Sequence, residues 1–199
     1  MPPATPAVAD PPSHPVVSAV CVVHQLIPDY GGPDGVTAID KRATAEPVKV
    51  GEFGLRGDVQ VDRKHHGGHD KAVYLYSQSD ADFWQAELGR ELHPGWFGEN
   101  LRVEGVDVNA ARVGERWRIG EGSDAVELEL TMPRTPCQTF ARWVGGEDAR
   151  GWVKRFADSR RLGAYARVVR KGVVRAGDPI TVVSVPDVAP TIAGAFRPE

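Results

Sequence analysis

Short β-branched and aromatic runs, each stopped by a glycine- or proline-containing turn, recur along most of this chain. The first is PVVSAVCVVHQL (15–26). AVYLYS (72–77), NLRVEG (100–105), ERWRIG (115–120), AVELELTM (125–132), AYARVVRKG (164–172) and ITVVSV (180–185) follow. Such side chains fit a pleated, half-buried surface, and the turn residues end each run within strand length. AVELELTM alternates Val126, Leu128 and Leu130 with Glu127 and Glu129, so one of its faces is wet. Two segments read as helices. SQSDADFWQAELGREL (77–92) opens with Ser and Asp capping candidates and spaces Trp84 and Leu88 four apart. GEDARGWVKRFADSRR (146–161) puts Trp152 and Phe156 on one face, although Gly151 weakens it. Neither alternates with strands in a βαβ rhythm. The expected fold is therefore mainly β, a distorted β-barrel with a few short helices.

At 199 residues the chain can bury one sizeable core. Residues 16–186 are expected to form that domain, between a tail over 1–15 and a C-terminal tail over 187–199. The first tail, MPPATPAVADPPSHP, holds six of the sixteen prolines and no basic residue. It reads as disordered rather than as a signal peptide. No later run approaches a membrane span, which implies a cytoplasmic protein without membrane contact. The net charge of −3 supplies no global basic field for nucleic acid. ARVGERWRI and VRAGDPITV share an Arg, a Gly and an acid before a strand, and GLRGDVQVD repeats the Gly-acid part. The plain meaning is a tight turn that feeds a strand.

Four segments combine unusual backbone with reactive side chains. In DRKHHGGHDKAV (62–73), His65, His66 and His69 surround Gly67-Gly68, with Arg63, Lys64 and Lys71 beside them. Backbone amides of a Gly-Gly loop flanked by cations suit an oxyanion, and a plain basic loop is the alternative. A zinc site with Cys137 is a third reading, opposed by the glycines that would break a ligand-aligning helix. In HPGWFGENL (93–101), Glu99 is a candidate proton donor and Asn100 an orienting amide, unless both only satisfy a turn. In TMPRTPCQTFARW (131–143), Pro133 and Pro136 stiffen the backbone around Cys137. Arg134 and Arg142 would favour its thiolate, whereas a buried structural thiol is the alternative. Cys21, inside an apolar strand, fits that structural role. In LGAYARVVRKG, Arg167 alternates with Tyr165 and Val169, facing an anion or lying at a rim.

Six stretches stand in one collinear order: TAIDKRA (37–43), GLRGDVQVDRKHHGGHDKAVYLY (54–76), GWFGENL (95–101), VGERWRIG (113–120), PRTPC (133–137) and GAYARVVRKGVVRAGDPI (163–180). Together they resemble the MOSC family, named for the C-terminal domain of molybdenum cofactor sulfurase, and within it the small stand-alone YiiM-like members. The resemblance implies a barrel-like domain holding a molybdenum cofactor (molybdopterin), with Cys137 as the protein ligand to the metal. Soft thiolate suits such a metal. By motif position and charge, Lys41, Lys64, His66, Gly67, Gly68, Arg134 and Arg167 are the expected cofactor contacts. Related enzymes reduce N-hydroxylated compounds such as hydroxylaminopurines and amidoximes to amines. On that pattern Cys137, Glu99, Asn100 and His66 form the catalytic set, with Glu99 and His66 as acids and Asn100 orienting the N–O group. His65 and His69 leave open which imidazole faces the cofactor. No flavin or haem motif is present, so a separate flavoprotein or redox partner is expected to supply electrons, and a homodimer is compatible. The rival expectation is a sulfur-carrier or cofactor-binding module with a persulfide on Cys137 and no turnover.

Overall fold

A computed structural model describes residues 14–32, 34–62, 66–146 and 149–198. The strands are β1 (Val16–Val23), β2 (Ile27–Pro28), β3 (Val36–Thr37), β4 (Lys41–Thr44), β5 (Val48–Gly51), β6 (Gly54–Leu55), β7 (Val73–Ser77), β8 (Leu101–Glu104), β9 (Arg116–Ile119), β10 (Val126–Pro133), β11 (Ala164–Arg170), β12 (Gly172–Val174) and β13 (Ile180–Ser184). The helices are α1 (Gln78–Leu88), α2 (Gln138–Gly145), α3 (Trp152–Ser159) and α4 (Ile192–Ala195). Eight strands join in one sheet in the order β13-β9-β10-β11-β7-β8-β1-β4, with β7–β8 its parallel pair. The sheet bends until its first strand meets the approach to its last. Val17 N–H donates to Asp178 O (2.9 Å), and Ile180 N–H donates to Pro15 O (2.8 Å). That contact is a bridge rather than a full ladder. The fold is thus mainly β with a distorted, incompletely closed barrel, as the strand pattern implies.

The alternation in β10 explains the sheet's two faces. Val126, Leu128 and Leu130 are buried in the interior with Val17, Leu75 and Trp117. Glu127 and Glu129 stand directly opposite Arg118 and Arg116 on β9, at 2.8 and 3.0 Å. Opposite charges at cross-strand positions contribute only a few tenths of a kcal/mol to about 1 kcal/mol each, so the buried face fixes the register. The recurring Gly-acid motif does make turns. Arg112 N–H donates to Glu115 Oε2 (3.0 Å), and Arg175 N–H donates to Asp178 Oδ2 (2.7 Å).

A second, aromatic core lies between the sheet and the helices, built on Tyr76, Trp84, Phe97, Phe140 and Phe156. Three elements differ from the expectation. α3 begins at Trp152 rather than near 146, because Gly151 adopts a left-handed conformation at its N-cap. α2 was not anticipated, yet its buried Phe140, Ala141 and Val144 carry the helical spacing that could have marked it. The segment set apart as a C-terminal tail packs back on the domain: Ile192 and Phe196 are buried, and Arg160 lies over the Phe196 ring at 5.1 Å. Residues 1–13 of the expected N-terminal tail lie outside the described residues. No helix among the described residues is long and apolar enough to cross a membrane.

Gly163 positions the start of β11. Its φ is +68°, and a Cβ there would stand 2.4 Å from Leu75 O. Gly163→Ala is expected to destabilise the protein by roughly 2–5 kcal/mol from the left-handed backbone and the overpacking together, measured by chemical denaturation.

Candidate active site

A cavity of about 540 Å³ opens between the sheet and α2. Pro133 ends β10, Pro136 is buried, and the chain then turns into α2 with Cys137 at the N-cap position. The two prolines thus deliver the thiol, half-buried, into the cavity wall.

Burial alone would raise the Cys137 pKa. Arg134, then His66, then the amide of Phe140 outweigh it and pull the thiol down to about 6. Arg134 Nη2 lies 3.7 Å from Sγ. Arg134 is only 5% exposed and sits among aromatic rings, 4.7 Å from Phe140 and 5.8 Å from Tyr74 and Phe156. Its Nη1 is buried and makes no hydrogen bond among the described residues. His66 Nδ1 is 3.1 Å from the Tyr165 hydroxyl, and burial pushes that phenol up to about 12. On the adjoining wall, Lys41 Nζ contacts Asp58 Oδ2 at 2.6 Å, and Asn100 Nδ2 donates to the same oxygen at 2.7 Å. Asn100 Oδ1 accepts from Tyr74 N–H (3.1 Å), so this amide is held on both sides.

Lys41, His66, Asn100, Arg134 and Cys137 therefore share one cavity. Other expected residues lie elsewhere. Glu99 is 0% exposed and does not line it. Its carboxylate accepts from Gly95 N–H (2.8 Å), Phe97 N–H (3.0 Å) and Arg102 Nε (2.8 Å), which places it as a buried structural group rather than an acid facing substrate. Arg167 turns to the outer face toward Asp70 (3.3 Å) and Glu129 (3.7 Å), away from any cofactor in the cavity. Gly67 and Gly68 stand behind the wall, the Gly68 amide donating to Gln60 Oε1 at 3.0 Å. His69 contacts Glu52 (2.9 Å) on the outside, so His66 is the described histidine that faces the cavity. Arg63, Lys64 and His65 lie outside the described residues. Sequence reasoning missed Tyr74, Tyr165, Asp29 and Asp58 as site residues. Asp58 is the acid of the third Gly-acid motif, and that motif was the available signal.

The arrangement can hold a thiolate at neutral pH. In the metal-free chain, Cys137 alkylation is expected to reach half its maximal rate near pH 6 rather than 9 and to rise with pH through that point. Arg134→Met should move the midpoint upward. An unchanged midpoint in that variant would remove Arg134 as the main cause.

The distorted β-rich domain, with one activated cysteine at a cavity, defines a class. A MOSC domain family model matches residues 62–181, and the chain belongs to the MOSC domain family. It is 29% identical over 165 residues to protein YiiM of Escherichia coli strain K12, covering 80% of this chain and 70% of that protein. It is 31% identical over 156 residues to the uncharacterized protein YflK of Bacillus subtilis strain 168, covering 78% and 67%. The crystal structure of YiiM from Geobacillus stearothermophilus has the same fold, with a TM-score of 0.70 at 24% identity over 90% of this chain and 80% of that one. A protein called reductase from Gibberella moniliformis is 29% identical over 161 residues, and the match spans 27% of its length.

Proposed function

We propose that this protein binds a molybdenum cofactor through Cys137 and reduces N-hydroxylated compounds, such as hydroxylaminopurines or amidoximes, to amines. The observation that carries the reading is the Cys137 thiol in the cavity wall, backed by the buried guanidinium of Arg134. The donor set fits such a group. Among the described residues no cluster of three or more His, Cys, Asp or Glu side chains is placed to hold a metal. A metal at Cys137 would therefore bring most of its ligands with it, as a pterin-held metal does, and soft thiolate is the ligand type it takes. Arg134, whose Nη1 makes no hydrogen bond among the described residues, supplies positive charge for an anionic cofactor, and Lys41, paired with Asp58, lines the same cavity. Membership of the MOSC family supports an association with molybdenum cofactor.

The chemistry such a cofactor supplies is a two-electron oxygen removal, R–NHOH + 2 e⁻ + 2 H⁺ → R–NH2 + H2O. The chain's own residues hold and protonate. Cys137 anchors the metal and Arg134 keeps its sulfur anionic. His66, oriented by the Tyr165 hydroxyl, stands beside the sulfur and delivers a proton to the departing oxygen. Asn100, pinned by Tyr74 and Asp58, presents a fixed wall to the N–O group. Electrons come from a separate flavoprotein or other redox donor.

The test is elemental mass spectrometry on the chain expressed with a working cofactor pathway, then reduction of an amidoxime with reduced viologen as donor. Near-stoichiometric molybdenum and amine formation are expected. Background metal would sink the reading. Full metal without amine formation would sink the substrate class.

A further inference from the structure

The three-stranded sheet β12-β5-β6 turns Val48, Val50, Leu55 and Val174 into the interior. Strand alternation therefore puts Lys49 and Arg56, both exposed, on its outer face. The register makes them direct neighbours. Val50 pairs with Leu55, and Arg56 N–H donates to Lys49 O at 2.8 Å. Like charges in such positions repel each other. Neither side chain makes an ion pair or hydrogen bond among the described residues.

A groove of about 710 Å³ lies against this sheet, within the size range of small-molecule sites, and Lys171 joins Lys49 and Arg56 along it. Between the cations the groove has bare backbone at Gly51. Packing does not demand a glycine there. Gly51 has no positive φ, and a Cβ on it would meet only Gly54 O, at 3.9 Å. The acids of the groove are already engaged. Glu52 contacts His69 (2.9 Å) and Lys171 (3.5 Å), and Asp58 is held by Lys41 at 2.6 Å. Beside them Phe53 is 57% exposed, with the His69 ring tilted against it at 4.6 Å. Much of its ring is therefore open to a ligand. Asp58 and Gln60 line both this groove and the Cys137 cavity, whereas Cys137 and Arg134 line the cavity alone.

We infer that this groove is a second binding site, for a phosphorylated molecule that carries a flat ring, a nucleoside phosphate in chemical class. Lys49, Arg56 and Lys171 take the phosphate over the bare backbone at Gly51, and Phe53 stacks on the ring. An anion there relieves the repulsion between Lys49 and Arg56. The site lies apart from the cavity assigned to the cofactor and does not depend on that reading.

ADP, adenosine and inorganic pyrophosphate are the probes, titrated calorimetrically into the full metal-free chain without divalent cations. ADP is expected to bind more tightly than either fragment, to weaken as salt rises, and to leave the rate of Cys137 alkylation unchanged. Gly51→Leu fills the groove at an open position, so it should weaken ADP at least about 10-fold while melting like wild type. Lys49→Gln and Arg56→Gln should each weaken ADP and pyrophosphate about 2–5-fold. Phe53→Ala should weaken ADP about 5-fold or more and leave pyrophosphate as it was. Absence of ADP binding, or wild-type affinity in Gly51→Leu, would overturn the inference. ADP that slows Cys137 alkylation would also overturn it, because the nucleotide would then lie in the cofactor cavity. None of these readouts requires molybdenum, so failure of the cofactor reading leaves the result standing on its own.

Discussion

Cys137→Ala is expected to strip molybdenum from a chain that otherwise carries it, and to lower amidoxime reduction by at least about 100-fold, since even partners one step removed from a metal cost 10–100-fold. No group of three or more described His, Cys, Asp or Glu side chains is placed to hold the metal in its stead. The thiol is half-buried at the edge of the aromatic core, and alanine removes a single sulfur there, so the variant should melt close to wild type. That separates ligand loss from unfolding. Cys137→Ser puts a harder oxygen at the same place and should retain less metal than wild type. Equal molybdenum in wild type and alanine variant would remove Cys137 as the ligand. Little metal in either would end the cofactor reading and leave the persulfide carrier, which a one-sulfur mass gain on Cys137 would identify.

Glu99→Gln is the second large effect, and its sign distinguishes two roles for the same carboxylate. Glu99 and Arg102 are both fully buried, and Glu99 also accepts from the Gly95 and Phe97 amides. Leaving Arg102 without its counter-charge should cost roughly 3–5 kcal/mol. For a chain of this length that is a fall in Tm of roughly 6–20 °C. The rate per bound molybdenum should change little in the folded fraction. A catalytic acid would behave in the opposite way, with native-like melting and a loss of about 10²–10⁴ in rate. Scanning calorimetry and single-turnover rates on the same preparations decide between them.

Much of the strand order was legible because period-two alternation and glycine turns are local signals. β1, β7, β8, β9, β11 and β13 all fall inside the segments read as strands, and β10 runs one residue past its segment, to Pro133. Cys137 was legible for the same reason, since two prolines within five residues mark a fixed backbone. The rest of the site depends on contacts that sequence spacing does not carry. Lys41 and Asp58 are 17 residues apart, Asp29 and Arg142 are 113 apart, and each pair forms only once the sheet has folded. Arg167 does share a face with Tyr165, opposite Ala164, Ala166 and Val168. It misled because it stands further along β11, opposite Glu129 and near Asp70, beyond the cavity. Glu99 misled because its partner, Arg102, is a charged residue inside a strand that the alternation alone would have turned to solvent.

The junction between β1 and residues 177–180 also dictates the order of events during synthesis. Val17 cannot make its bonds to Asp178 and Gly177 until those residues, some 160 further along the chain, have left the ribosome. Until then the N-terminal end of β1, beyond its pairing with β4, has an open edge, exposed to pairing with a neighbouring nascent chain. Pairings this distant in sequence form slowly, and unpaired strand edges are where aggregation begins. Yield in cells should therefore respond more to chaperone supply than the finished protein's thermal stability would suggest.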